Sequence, residues 1–64
     1  LKSGPAPAGA IVFFTEDGSG SPTHVGISNG DGTMTDANVV KGQVGITPID
    51  IVTGYMGWGF PPGF

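Results

Sequence analysis

The sequence predicts a mainly β fold, a small antiparallel sheet or partial barrel of about five strands. Its apolar residues fall into short runs rich in β-branched and aromatic side chains, and each run is too short for a helix. The 13 glycines and 6 prolines suit tight turns between such runs. No segment has a convincing helical period. We therefore expect one β subdomain over residues 1–64, with an extended leader at 1–9, the sheet at 10–60 and a tail at 61–64.

The leader and the first strand differ sharply in composition. Pro5 and Pro7 fix their own φ angles and disfavour helix at their neighbours, which predicts an extended leader. The run AIVFF at residues 10–14 is apolar at every position, so we expect a buried central strand there. Residues 15–23 follow as a polar loop with glycine and proline.

The second and third strands are predicted to form a hairpin. Residues 24–28, HVGIS, alternate so that Val25 and Ile27 share one face and the other three residues share the opposite face. Residues 29–32 contain Asn-Gly and Asp-Gly, which both favour hairpin turns, and residues 33–37 return as the partner strand. A calcium loop needs more regularly spaced oxygen ligands than residues 29–32 offer, so we interpret them as a plain turn.

The rest of the chain continues the pattern of short strands. In order, we expect a loop around Asn38, a short apolar segment at 39–40, a turn at 41–42, a strand at 43–47, a short helical turn or edge segment at 48–52, and a closing strand at 55–60. The aromatic residues Tyr55, Trp58 and Phe60 are expected to pack the core, since so small a domain has few other large anchors. Lining a sugar or peptide groove is the alternative.

Charge and composition exclude several classes of function. Lys2 and Lys41 stand against five acidic residues, so the clustered positive charge of a nucleic-acid surface is missing. No apolar run approaches the roughly 20 residues of a membrane span. Without cysteine there is no disulfide and no thiolate metal ligand, and a lone histidine is poor material for a zinc site. We expect no cofactor, no metal, no nucleic-acid partner and no membrane span.

The small size predicts a partner. A chain of 64 residues buries only about 60% of its unfolded surface, and neither a disulfide nor a metal is on hand to compensate. The remaining support is a partner surface, or a larger protein from which this chain comes. An exposed sheet face would otherwise be an aggregation-prone patch, so we expect the partner interface to be largely apolar.

His24 is the candidate for acid–base chemistry, because its side chain is the one here whose ordinary pKa lies near neutrality. It opens a strand just after a glycine-rich loop, where substrate can enter. If residues 29–32 form a tight hairpin, His24 lies across from about residue 37, which brings Asp36 and Asn38 near it. One register step decides which of the two shares its face. For Gly26, close approach of a substrate backbone and simple packing remain equal alternatives.

Four segments resemble, in order, those of one peptidase family. Residues 7–14, PAGAIVFF, are similar to a PGDLVFF segment, and residues 24–27, HVGI, are similar to the strand that holds the catalytic histidine. Residues 33–37, TMTDA, resemble the next strand, and residues 55–61, YMGWGFP, resemble the closing strand. The chain thus resembles the C-terminal, histidine-bearing half of papain-like cysteine peptidases of the NlpC cell-wall type.

The resemblance implies the β half of a papain-like α+β fold and two catalytic roles. His24 would be the general base and acid, and Asp36 the third member, where the family usually has His, Asn or Gln. Two departures accompany it. Gly9-Ala10 replaces the family's Gly-Asp, and the helix that carries the nucleophilic cysteine before the first strand has no counterpart in this sequence. We therefore expect no activity from this chain alone.

The function implied is part of a bacterial hydrolase, secreted or cell-wall associated, that cuts amide bonds of peptidoglycan stem peptides. An N-terminal half carrying the cysteine would be its partner, as a second chain or a cleaved segment. One alternative is a non-catalytic small β-module that binds a cell-wall or protein ligand. Another is a fragment of a papain-like toxin or effector, since the same fold hosts different substrates.

Overall fold

A computed structural model describes residues 1–38 and 42–61 of the chain. The strands are β1 (Ile11–Phe14), β2 (His24–Ser28), β3 (Thr33–Asn38), β4 (Gln43–Pro48) and β5 (Tyr55–Gly59). They form one sheet in the order β4-β3-β2-β1-β5, and every neighbouring pair is antiparallel. The predicted mainly β fold of five strands is confirmed, and the sheet is open instead of closing into a barrel.

The strand boundaries match the predicted ones to within one residue: β1 and β5 are each one residue shorter, and β3 and β4 are each one residue longer. β4 runs one residue beyond the predicted strand to Pro48, which pairs with Thr33. Proline is tolerated there because β4 is an edge strand, so the missing N–H takes nothing from an inner ladder. A single 3-10 turn, Ile49–Ile51, follows within the segment predicted as a helical turn or edge. The apolar segment at 39–40, Lys41 of the predicted turn and the last residues of the tail, 62–64, lie outside the described residues.

The hairpin between β2 and β3 forms at the predicted turn. Asp31 accepts hydrogen bonds at Oδ1 from the backbone N–H and the hydroxyl of Thr33, which closes the loop on itself. The ladder pairs Ile27 with Thr35 and Ser28 with Met34. Continued along β2, this register puts position 38 opposite His24, one step from the expected residue 37.

One face of the sheet carries the core and is named here the covered face. Val12, Phe14 and Met34 are fully buried on it. Ala6 of the leader and Trp58 of β5 pack against them, together with two residues of the connection between β4 and β5, Ile49 and Val52. The core is therefore made by the leader and this connection folding over one side of the sheet.

Hydrogen bonds hold the leader against the sheet. Lys2 and Trp58 exchange backbone hydrogen bonds as an isolated bridge. The Trp58 indole donates to the Ser3 carbonyl, and the Tyr55 hydroxyl donates to the Gly4 carbonyl at 2.8 Å. The aromatic side chains of β5 thus anchor the chain's first residues. Phe60 lies edge-on to the Trp58 ring and is about half exposed, so it belongs to the rim of the core.

None of the described residues covers the opposite side of the sheet, which is named here the open face. One row of cross-strand pairs links Ile11, Ile27, Thr35 and Ile46 over four strands. The next row holds two separate pairs, Phe13 with Val25 and Ala37 with Val44. The relative exposure reaches 69% at Val44 and 73% at Ile46. No charged residue belongs to either row. β1 is therefore an inner strand, as predicted, but its second face is only half-buried.

Candidate functional site

The structure brings His24 and Asp36 together at one end of the sheet. His24 is the first residue of β2, and its Nε2 lies 2.8 Å from Oδ2 of Asp36 in β3. The side chain of Asp36 is 6% exposed and that of His24 is 22% exposed. A nearly buried acceptor thus holds a histidine that still reaches the surface.

The hairpin register explains this contact. Residues at even positions of β2 and β3 share the covered face, so Asp36 lies diagonally across from His24. Asn38 is the last residue of β3 and pairs with Gln43, but its side chain lies outside the described residues. Of the two predicted orienting residues, Asp36 is the one that the structure places on the imidazole.

Gly26 makes room for this arrangement. A Cβ atom at Gly26 would lie 2.6 Å from Sδ of Met34 and 3.3 Å from Cβ of Asp36. The Met34 and Asp36 side chains therefore occupy the space above this glycine. Of the two alternatives for Gly26, close approach of a substrate backbone and packing, the structure favours packing within the protein.

Thr47 is a site residue that the sequence did not reveal. Its hydroxyl donates a 2.7 Å hydrogen bond to Oδ1 of Asp36, so the two carboxylate oxygens have separate partners. Gly45 is paired directly opposite Asp36, and Thr47 lies two residues further along β4, diagonal to the carboxylate. This contact depends on the register between β3 and β4. The turn between these strands carries no strong hairpin signal, so the sequence did not indicate which residue of β4 lies beside Asp36.

The resulting chain of contacts fixes one tautomer of the imidazole. An ionised Asp36 only accepts hydrogen bonds, so Nε2 of His24 must carry a hydrogen toward it. The second nitrogen, Nδ1, has no hydrogen-bond partner among residues 1–37 and 42–61. A neutral His24 in this state has Nδ1 as its basic nitrogen. The ring of Phe14, with its centroid 5.9 Å from that of His24, packs beside the imidazole and restricts its rotation.

An open groove of about 400 Å³ lies next to His24 at the sheet end. Its walls also include Pro22 and Thr23 of the loop before β2, and Val25 and Ala37 of the open face. The groove therefore joins the histidine to the exposed apolar surface around the end of β2. A proton acceptor at the wall of a groove is the arrangement that general acid–base chemistry requires.

Other titratable groups lie outside this set. Hydrogen bonds from the Ser19 backbone hold the pKa of Asp17 below its usual value, and those from the Thr33 hydroxyl and backbone do the same for the pKa of Asp31. Burial raises the pKa of the Tyr55 phenol. Within the described residues, no three His, Asp or Glu side chains come together as metal ligands.

Comparisons with models of protein families, with curated proteins and with solved structures found no match for this chain. The described part of the chain contains no helix of the length and apolar character that crossing a membrane requires.

Proposed function

We propose that this chain supplies the histidine base of a papain-like cysteine peptidase or amidase. His24 takes the proton of a cysteine nucleophile at Nδ1 and later returns it to the leaving amine. Asp36 is the positioning residue, because its hydrogen bond to Nε2 fixes the tautomer that leaves Nδ1 basic. The single observation that carries the proposal is this 2.8 Å contact from a buried carboxylate that Thr47 also holds.

The nucleophile must come from a polypeptide segment outside this sequence, since the chain has no cysteine. The proposed source is an N-terminal half of the same domain, present as a second chain or a cleaved segment. The open face supports this source, because such a segment can pack on its uncharged, apolar surface. The groove beside His24 borders the same face at Val25 and Ala37, so a segment seated there has access to the imidazole.

The proposed substrate class is an amide bond of peptidoglycan stem peptides, and the proposed location is secreted or cell-wall associated. Both come from the resemblance of the strand sequences to NlpC-type peptidases. A toxin or effector that cuts a different amide would use the same His24 and Asp36, since fold does not settle substrate. Activity of the joined protein on muropeptides, compared with its activity on unrelated peptides, distinguishes these two cases.

The first experiment is intact-mass spectrometry of the natively purified protein. The expected result is a second, cysteine-containing polypeptide that travels with this chain. A polypeptide of residues 1–64 that is folded, soluble and monomeric without any partner would count strongly against the proposal.

The second experiment tests the roles in the joined protein. His24→Ala is expected to lower kcat by about 10²- to 10⁴-fold, the usual contribution of a general base. Asp36→Asn should retain more activity than Asp36→Ala, because an amide oxygen still accepts from Nε2 and the Thr47 hydroxyl both donates and accepts. Ser21→Ala, in the exposed loop, is the control and should have no effect. Activity retained in the His24 variant would remove His24 from the mechanism.

A non-catalytic β-module is the second candidate function, and the open face is the observation that favours it. That face is available for a protein or cell-wall ligand whether or not His24 takes part in chemistry. Under this alternative the chain folds by itself, and His24→Ala leaves ligand binding unchanged. Under the peptidase proposal the same variant loses activity in the joined protein.

A further inference from the structure

A second concave site lies on the covered side of the molecule, away from the groove beside His24. It is a cavity of about 340 Å³, named here the leader cavity. Its walls are residues 4–6 of the leader, Gly30 and Gly32 of the hairpin loop, and Ile49 and Asp50 after β4. It shares no lining residue with the groove at His24. We propose that the leader cavity binds a small apolar molecule that carries one ammonium group.

The size and the apolar wall of the cavity suit a small ligand. Its volume is at the lower end of the roughly 300 to 1,000 Å³ typical of small-molecule sites. Pro5, Ala6 and Ile49 provide aliphatic surface, and Tyr55 provides an aromatic ring. The glycines of the hairpin loop have no side chains to fill the space. A ligand with one ring and a short chain therefore matches this volume.

The polar groups around the cavity are largely bonded to one another. The Tyr55 hydroxyl donates to the Gly4 carbonyl, and the Ile49 amide donates to the Gly32 carbonyl. The Gly30 amide donates to the Ser28 hydroxyl. These internal hydrogen bonds leave few donors for a ligand, so a strongly polar or anionic ligand is poorly matched. The body of the ligand should be apolar.

Asp50 gives the cavity a negative charge. It is the one charged residue among the described residues that line the cavity. The one ion pair found within residues 1–38 and 42–61 joins His24 and Asp36, so no lysine or histidine of these residues neutralises the Asp50 carboxylate. An ammonium group at the mouth would pair with Asp50, and the Tyr55 ring in the cavity wall offers cation–π attraction.

The test is a titration of the ¹⁵N-labelled full chain followed by amide NMR shifts. The probe is 2-phenylethylammonium, with 2-phenylethanol and 3-phenylpropionate as neutral and anionic analogues of similar size. We expect saturable shifts at the amides of Gly30 and Gly32 with the ammonium compound. Its affinity should exceed that of the alcohol by about two- to fivefold, the worth of one exposed ion pair, and this preference should shrink in high salt.

Matched variants separate a local ion pair from overall charge. Asp50→Asn should reduce the preference for ammonium over alcohol to about one, whereas Glu16→Gln removes an equal charge far from the cavity walls and should leave it unchanged. Equal binding of the three probes to the unaltered protein, or shifts that do not involve Gly30 and Gly32, would overturn the proposal without any variant. An equal loss in both variants would also overturn it.

Discussion

The two faces of the sheet depart from the usual arrangement, in which the buried face is apolar and the exposed face is polar. The covered face buries polar groups at Ser28 and Asp36 beside its core, whereas the open face exposes Val25, Val44 and Ile46. Alternation along each strand is regular on both sides, so the difference is not irregular patterning. It arises because the leader and the β4–β5 connection pack on one side only.

Among the described residues, a second layer covers only one of the two sides of the sheet. Sheets bury an apolar face against a second layer, and here apolar residues occupy both sides. The buried polar residues of the covered face are all satisfied, because every buried side-chain nitrogen or oxygen among the described residues has a hydrogen-bond partner. The polar groups of the covered face therefore need no further partner, whereas the exposed apolar side chains lie on the open face.

The largest expected effect is the loss of core on the covered face. Phe14→Ala should lower the free energy of unfolding by about 3 to 5 kcal/mol, because Phe14 is fully buried and the cavity cannot refill. The matched change on the open face, Ile46→Ala, should alter it by less than about 0.5 kcal/mol. Urea unfolding measures both. Equal losses would mean that the open face is already covered in solution.

Two strand glycines on the covered face give the next effect. Gly26→Ala should cost about 1 to 3 kcal/mol, since the new Cβ meets Met34 and pushes on Asp36. Gly45→Ala is the control, because a Cβ there meets no atom within 4 Å, and it should be neutral or stabilising by about 0.4 to 1 kcal/mol. If the two variants had the same stability, Met34 would not lie over Gly26.

The open face gives a smaller effect on stability and a larger one on association. Ile46→Lys should change the free energy of unfolding by less than about 0.5 kcal/mol, yet weaken binding of a partner segment and of an apolar dye. Ile51→Lys is the matched control, with 70% exposure against 73% for Ile46, but outside the open face. Sedimentation and dye fluorescence distinguish the two variants. The same loss of association in both would show that charge matters and position does not.

The smallest expected effect belongs to the hairpin loop, outside both faces. Hydrogen bonds from Thr33 lower the pKa of Asp31 below 3.8, so its carboxylate adds stability above that pH and the contribution is lost as the pH falls through the folded-state pKa. Asp31→Asn should therefore lower Tm slightly at neutral pH and have progressively less effect in acid. Glu16→Gln serves as the control in thermal melts. A difference that grows in acid would contradict this sign.

Much of the site was predictable because strand alternation has a strict period. His24, Gly26 and Ser28 had to share one face, and the two turn signals before Thr33 had to bring β3 back beside β2. That put Asp36 or Asn38 near His24. The choice between them needed the register, which shifted by one step from the expected one. Thr47 could not be predicted, since its contact crosses a second hairpin whose turn carries no strong signal.

The sequence by itself determined the five strands, the hairpin and the absence of a cysteine nucleophile, because these depend on local conformation and composition. Only the tertiary structure decided which side of the sheet is covered. The alternating pattern is equally apolar on both sides of β1, so local preferences do not distinguish them. Long-range hydrogen bonds to β5 hold the leader on the side of the sheet that carries the core, and Val44 and Ile46 on the other side stay exposed.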